Sequence, residues 1–166
     1  MFDIFKKKSQ PTPPQFPARD LLFGDMPFSA WPNSSAKQEQ EPWKSFVTAR
    51  EQLNSGNTPE GIRVLRQILR MPNLESRHYL QAWHFLRGLG ESPTDDDAKR
   101  LYGVVVEVGL KNGLDMLAAY TDGTARYFNY TGAAIIWERP DDSLDTTIEA
   151  LLHLGQRVIN EIGPWE

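Results

Sequence analysis

The sequence predicts an α+β fold in which helices precede a small antiparallel sheet and one further helix follows it. Three observations support this prediction. Apolar residues recur at helical spacing from Trp43 to Leu89, they alternate with the period of a strand after Tyr102, and an amphipathic stretch runs from Ser143 to Ile162. Because the segments between strands are short, we expect four antiparallel strands in the order 1-2-3-4, with the last helix packed on the sheet.

Composition limits the classes of protein to which the chain can belong. It has 166 residues, 40% of them hydrophobic, and a formal net charge of -4. This acidic balance does not favour nucleic acid as a partner. The chain contains no cysteine, so disulfides and cysteine-ligated metals are excluded. It has no apolar run long enough to span a membrane, and we expect a cytoplasmic location.

Residues 1–42 differ in composition from the rest of the chain. More than half of the 12 prolines fall in this segment, so we expect an irregular arm. Large apolar side chains are nevertheless frequent in it, and a plain linker would lack them. We therefore expect the arm to lie on a protein surface, either its own or that of a neighbour. Its predicted anchors are Phe23, Phe28 and Trp31.

Residues 43–166 are expected to form one domain, and its helical part is predicted over residues 43–100. A first helix begins at Trp43 and ends at the break of residues 54–57, and Thr58-Pro59 then opens a second helix. These two form a helical hairpin. A third helix follows the Met71-Pro72 break, since apolar residues recur on one side of it up to Leu89.

Four strands are predicted between residues 102 and 138. Their expected bounds are Tyr102–Leu110, Leu114–Thr121, Thr124–Tyr130 and Ala133–Glu138. The connections contain Asn112-Gly113, Asp122-Gly123 and Thr131-Gly132. Asn-Gly and Asp-Gly are typical of two-residue hairpin loops, which need residues of positive φ. After Pro140, a last helix is predicted over residues 143–162.

Two-residue loops would divide the strand residues between two faces of the sheet. One face is the predicted core beneath the last helix, where Gly155 would permit close approach. It would hold Val104, Val106, Val108, Leu110, Leu117, Ala119, Arg126, Phe128, Tyr130, Ile135 and Trp137. Arg126 is expected opposite Trp137, either in a cation–π contact or reaching past the sheet into water.

The other predicted face combines small residues, tyrosines and isolated carboxylates. It would hold Gly103, Val105, Glu107, Gly109, Met116, Ala118, Tyr120, Ala125, Tyr127, Asn129, Ala134, Ile136 and Glu138. Three interpretations are open for this face. The N-terminal helices or the arm could pack on it, a second copy of the chain could bind there, or a ligand could occupy a pocket lined by Tyr120, Tyr127 and Asn129.

Glu107 interrupts an otherwise apolar strand, and two interpretations are open for its carboxylate. It could be a buried anchor with a hydrogen-bond donor from the helices, from Tyr127, or from a ligand or second subunit. It could instead lie on the first strand as an edge residue that discourages pairing with another chain.

Familiar catalytic and cofactor motifs are missing from the sequence. It contains no phosphate-binding loop, no dinucleotide-binding glycine pattern and no nucleophile elbow, and its three histidines show no metal-ligand spacing. We therefore predict no catalytic residues, no metal and no cofactor. The favoured function is a non-enzymatic interaction protein that associates with itself or with another protein. The alternative is a small-molecule binding or sensing domain that uses the face with Gly103, Glu107, Tyr120, Tyr127 and Asn129.

Overall fold

A computed structural model describes residues 17–32 and 39–162. The elements follow in the predicted sequence of helices, sheet and helix. The helices are α1 (Pro17–Phe23), α2 (Trp43–Asn54), α3 (Thr58–Ile68), α4 (Ser76–Gly88), α5 (Asp95–Ala98) and α6 (Asp145–Ile162), and the strands are β1 (Gly103–Leu110), β2 (Gly113–Tyr120), β3 (Ala125–Phe128) and β4 (Ala134–Trp137). The predicted α+β class is confirmed.

The four strands form one antiparallel sheet in the order β1-β2-β3-β4, as predicted. Helix α6 packs on β1 and β2, which confirms the expected place of the last helix. An added Cβ on Gly155 would lie 2.9 Å from the Cγ2 of Val104. The absence of a side chain at Gly155 therefore lets α6 approach β1 closely, as the sequence indicated.

Helices α2, α3 and α4 enclose the largest apolar core. Phe46 and Ala49 of α2, Leu65 of α3 and Leu86 of α4 are fully buried in it. Between α2 and α3, Gly56 has a φ of 81°, a conformation that favours glycine. The chain reverses there and brings the two helices together as a hairpin.

Part of the Pro-rich segment differs from the expected irregular arm. Residues Pro17–Phe23 form the short helix α1. Pro17 occupies the first helical position, where a missing N–H costs no hydrogen bond, so proline starts this helix instead of preventing it. Leu22 is fully buried against the sheet, and the Tyr120 hydroxyl donates a 2.7 Å hydrogen bond to its carbonyl.

The sheet lies between two helical layers. We call the face toward α1 and α4 the inner face, on which Leu22 and Leu80 pack against Met116, Ala118 and Tyr120. We call the face toward α6 the outer face, on which Ile148 packs against Ala119 and Ala125. The N-terminal helices thus cover the face rich in small residues, which was one of the three interpretations left open.

The predicted faces are right for β1, β2 and β4 and wrong for β3. Two-residue loops were expected throughout, but the Tyr120 N–H donates to the Thr124 carbonyl, so the loop between β2 and β3 has three residues. Its last residue, Gly123, has a φ of 80°. Such loops have a turn followed by a left-handed residue. The extra residue turns every side chain of β3 to the opposite face.

A second three-residue loop restores the predicted faces in β4. The Asn129 N–H donates to the Ala133 carbonyl, and Gly132 has a φ of 89°. Two shifts of one residue cancel, so Ile135 and Trp137 lie on the outer face as expected.

The one-residue shift of β3 places several of its side chains on the face opposite to the predicted one. Arg126 and Phe128 lie on the inner face, and Arg126 pairs with Ile136 instead of Trp137. The expected position of Arg126 opposite Trp137 is therefore wrong, because Ala125 is the partner of Trp137 in the ladder. Tyr127 moves to the outer face for the same reason.

Candidate functional site

Glu107 has a donor from the arm. Arg19 of α1 donates from Nε to the Glu107 Oε1 over 2.6 Å, and the Glu107 side chain keeps 32% of its exposure. This hydrogen bond and the carboxylate charge raise the pKa of Arg19. In the ladder Glu107 faces Met116. Glu107 thus combines features of both interpretations, since it lies on an edge strand and binds a cation of the chain itself.

The five residues of the predicted ligand pocket do not come together. Gly103, Glu107 and Tyr120 lie on the inner face, where Tyr120 is fully buried and its pKa is raised by burial. Tyr127 lies on the outer face and donates to Asp115 Oδ2 over 2.6 Å. Asn129 shapes the loop before β4, since its Oδ1 accepts from the backbone N–H groups of residues 131 and 133.

A partly buried charged cluster joins α4 to the sheet, and the Glu75 side chain in it is 40% exposed. The Glu75 carboxylate accepts a 2.5 Å hydrogen bond from Arg77 and a 3.2 Å hydrogen bond from Arg126. Both guanidinium groups are buried, with 10% and 7% of their side-chain areas exposed. Burial alone would raise the pKa of Glu75, but the charges of Arg77 and Arg126 outweigh burial and lower the pKa to about 2. The carboxylate is therefore ionised near neutral pH.

His78 lies beside this cluster in an aromatic environment. Its ring is 4.8 Å from that of Trp43, nearly perpendicular to it, and neither ring nitrogen has a hydrogen-bond partner in the part of the chain that the structure describes. Burial lowers the pKa of His78 from 6.5 to about 4, and the Glu75 carboxylate offsets only part of this effect. A neutral His78 packs in this position as an aromatic side chain.

The turn between β2 and β3 binds the start of α4. Asp122 accepts a 2.6 Å hydrogen bond from the backbone N–H of Ser76, and the Ser76 hydroxyl lies 3.0 Å from that of Thr121. A carboxylate at a helix start interacts favourably with the exposed N–H groups there. The Glu75, Ser76 and Arg126 contacts together fix the sheet against the helices, which is a structural role.

The predicted arm anchors lie in different environments. Trp31 is 3% exposed and belongs to the helical core, where its ring meets that of Phe46 edge to face. Phe28 stacks on Phe85 at a centroid distance of 3.6 Å. Phe23 is half-buried and lies under the Arg19 guanidinium. The fully buried Leu22, which was not among the predicted anchors, packs against the sheet.

A broad apolar surface lies open on the outer side of the sheet. We call it the open apolar surface, and it consists of Val106, Val108, Leu110, Leu117 and Ile135 from the strands and Leu154, Val158 and Ile162 from α6. These side chains are between 39% and 59% exposed. Helix α6 covers only one end of the outer face, at Val104, Ala119 and Ala125, and leaves the rest uncovered.

The second half of α6 carries apolar residues that its own sheet leaves exposed. Leu154, Val158 and Ile162 recur every four residues and line a shallow groove of about 290 Å³ together with Arg157 and Glu161. Ile148, near the start of the same helix, is buried against the sheet. An apolar pattern that continues along the helix beyond the residues that contact the sheet is the signal that would have indicated a second packing surface.

Comparison with known proteins found no relative of this chain. No protein-family model, no curated protein and no solved structure matches it. Within the described residues, no group of three or more metal-ligating side chains could hold a metal ion. In the same part of the chain, no helix has the length and apolar character needed to cross a membrane.

Proposed function

We propose that this chain is a non-enzymatic interaction protein that functions by associating with itself through the open apolar surface. The observation that supports this proposal is the gathering of eight large apolar side chains, each at least 39% exposed, on one side of the sheet and α6. Isolated exposed apolar residues are ordinary, whereas contiguous ones mark interaction sites in soluble proteins.

The distribution of exposed apolar side chains supports the same proposal. The described parts of α1 to α5 bury their large hydrophobic residues at least in part, and the large ones that are exposed lie in the sheet, its loops and α6. The helical part thus resembles a completed core, while the sheet and α6 leave apolar area for a partner. The expected cytoplasmic location stays a prediction.

The self-association surface differs from the one suggested by the sequence. The inner face is occupied by Leu22 and Leu80 of the chain itself, so a second copy cannot reach its small residues without displacing them. The outer face has no such cover beyond the first turns of α6. We therefore propose that the second copy binds at the outer face of the sheet.

The solution mass tests the proposal. We expect light scattering and native mass spectrometry to show a dimer or larger oligomer at about 100 μM protein, with dissociation upon dilution. Val158→Lys should weaken association at least about tenfold, because a charge would be buried in the contact. Val158 is 54% exposed, so the same change should leave the fold intact.

Ala150→Lys is the matched control, since Ala150 is an exposed residue of the same helix outside the open apolar surface. It should leave the mass unchanged. A strictly monomeric wild-type protein at about 100 μM contradicts the proposal, as does equal weakening by both lysine variants.

A further inference from the structure

We infer that two copies of this chain join through their β1 strands, antiparallel and about a two-fold axis at Val106, so that the two sheets form one continuous sheet. The inference rests on the self-association proposed above and adds which elements meet. Its main support is the free edge of β1, and the position of α6 provides a second, independent support.

Strand β1 has eight residues and lies at one edge of the sheet. Among the described residues, no strand pairs with its free edge. The Thr121 N–H donates to the Tyr102 carbonyl, so Tyr102 and every second residue after it direct their backbone groups toward β2. The intervening residues direct theirs away from the sheet. These are Gly103, Val105, Glu107 and Gly109. A long apolar edge of this kind is a template for another strand.

The spacing of the outward backbone groups fixes the register. Val106 lies at the centre of the four outward residues. An antiparallel pair of β1 strands centred there lets all four form backbone hydrogen bonds with the outward residues of the second copy. Glu107 would then face Val105 of the second copy. A pair centred on Glu107 would instead place two carboxylates directly opposite each other, which is unfavourable.

Helix α6 extends beyond the edge at which the second copy would bind. It packs through Ile148 on β2 and β3, and through Gly155 on Val104 of β1. The seven residues that follow Gly155, up to Ile162, carry the helix about 10 Å further. Because strands lie about 4.8 Å apart, this overhang would lie above the first two strands of the second copy. Val158 and Ile162 would then be covered by its outer face.

The direction of the apolar side of α6 is consistent with the two-fold axis that was inferred from β1. Leu152 lines a pocket with the turn of residues 121–123, so that side of the helix faces the turn. Leu154 is about 200° further around the helix and faces the uncovered part of the outer face. Two helices packed about 8–10 Å apart place the axis about 4–5 Å from Val104 along the strand, which lies between Val105 and Val106.

Cysteine crosslinking tests the register, because the natural chain has no cysteine. In the inferred pair, Val106 faces itself without intervening hydrogen bonds, at a Cα separation of about 4.5 Å, which a disulfide can bridge. Val108→Cys is the matched control, with the same residue type, strand and face and an exposure of 49% against 40%. Two Val108 positions would lie about 13 Å apart, too far for a disulfide.

We expect Val106→Cys to form a reducible crosslinked dimer under mild oxidation at least about tenfold faster than Val108→Cys. Equal rates, or faster crosslinking of Val108→Cys, overturn the inference. If the wild type is a dimer but Val106→Cys does not crosslink, this inference fails and the proposed function stands. A monomeric wild type overturns both.

Amide hydrogen exchange on the unmodified protein supplies a second readout. The backbone N–H groups of Val105 and Glu107 point away from β2 and should be protected in the dimer by at least about tenfold relative to dilute monomer. Exchange that does not depend on concentration at these two amides, in a protein whose mass shows a dimer, contradicts the β1 contact.

Discussion

Arg126 of β3 donates a 3.2 Å hydrogen bond to Glu75, the residue that precedes α4. Arg77 donates to the same carboxylate oxygen. One carboxylate therefore accepts hydrogen bonds from two buried guanidinium groups that come from different parts of the chain. Removing the carboxylate would take this charged acceptor from both cations, whereas removing one cation would leave an intact pair.

This asymmetry predicts unequal effects of two substitutions. Glu75→Gln should lower the free energy of unfolding by about 1–3 kcal/mol, because two buried arginines lose their charged acceptor. Arg126→Met should change it by less than about 1 kcal/mol, since Glu75 keeps Arg77 and the methionine packs on the apolar inner face. Urea denaturation measures both values. A larger loss for Arg126→Met would contradict this account of the cluster.

Acid should destabilise the protein through His78. Its pKa is lowered from 6.5 to about 4, so the unfolded chain binds more protons than the folded chain between these values. The contribution of His78 to the free energy of unfolding is therefore fully present above pH 6.5. It is lost as the pH falls toward 4, by about 3 kcal/mol. Glu75, whose pKa is lowered to about 2, adds a further loss below pH 4.5.

Two variants isolate the contribution of His78 to this pH dependence. His78→Phe keeps an aromatic ring beside Trp43 and should flatten the stability profile between pH 6.5 and 4.5. His153→Gln changes an exposed histidine and should leave the profile as it is. The measurement is urea denaturation at a series of pH values, and equal slopes in wild type and His78→Phe would remove His78 as the cause.

The sequence predicted the elements of the fold better than the register of its sheet. Periodicity and turn residues were sufficient for the helices, the strands and their order. They were insufficient for β3, because Asp122-Gly123 fits a two-residue loop and the end of a three-residue loop equally well. The choice depends on contacts outside the hairpin, such as that of Asp122 with Ser76. One residue of loop length then decided the faces of Arg126 and Tyr127.

The buried cluster and the open apolar surface were beyond local patterns for related reasons. Glu75 and Arg126 are far apart in the chain, and nothing around either residue indicates the other. The apolar residues of α6 were visible in the sequence, but their division between Ile148, which is buried on the sheet, and Val158, which is exposed, depends on where the helix crosses β1.

Two of the predicted arm anchors, Trp31 and Phe23, should contribute very differently to stability. Trp31 is 3% exposed in the helical core, and Arg50 donates a 3.1 Å hydrogen bond to its carbonyl. Trp31→Ala should lower the free energy of unfolding by about 3–5 kcal/mol, because it leaves a large cavity. Phe23→Ala, at a half-buried site outside the core, should cost less than about 1.5 kcal/mol. Similar costs in thermal or urea unfolding would contradict this assignment.

Glu107→Gln should have only a small effect on folding. The Arg19 and Glu107 side chains are 47% and 32% exposed, and ion pairs at such sites contribute less than about 1 kcal/mol. We expect urea denaturation to show a difference within that range. A loss several times larger would restore the interpretation of Glu107 as a buried anchor.

Two glycines in helices should respond oppositely to alanine. At Gly155, an added Cβ would lie 2.9 Å from the Cγ2 of Val104 and 3.1 Å from the Cδ2 of Leu101. Valine in a strand has little freedom to rotate away, so α6 would have to move from β1. At Gly88, the last residue of α4, an added Cβ meets nothing within 4 Å.

Gly88→Ala should therefore raise the free energy of unfolding by about 0.5 kcal/mol, because alanine restricts the unfolded chain and favours the helix. Gly155→Ala should lower it by about 1 kcal/mol, since overpacking against Val104 exceeds the same helical gain. Thermal unfolding of the two variants beside wild type measures both signs. If Gly155→Ala is as stabilising as Gly88→Ala, α6 does not depend on close contact with β1, and its overhang past that strand loses its structural basis.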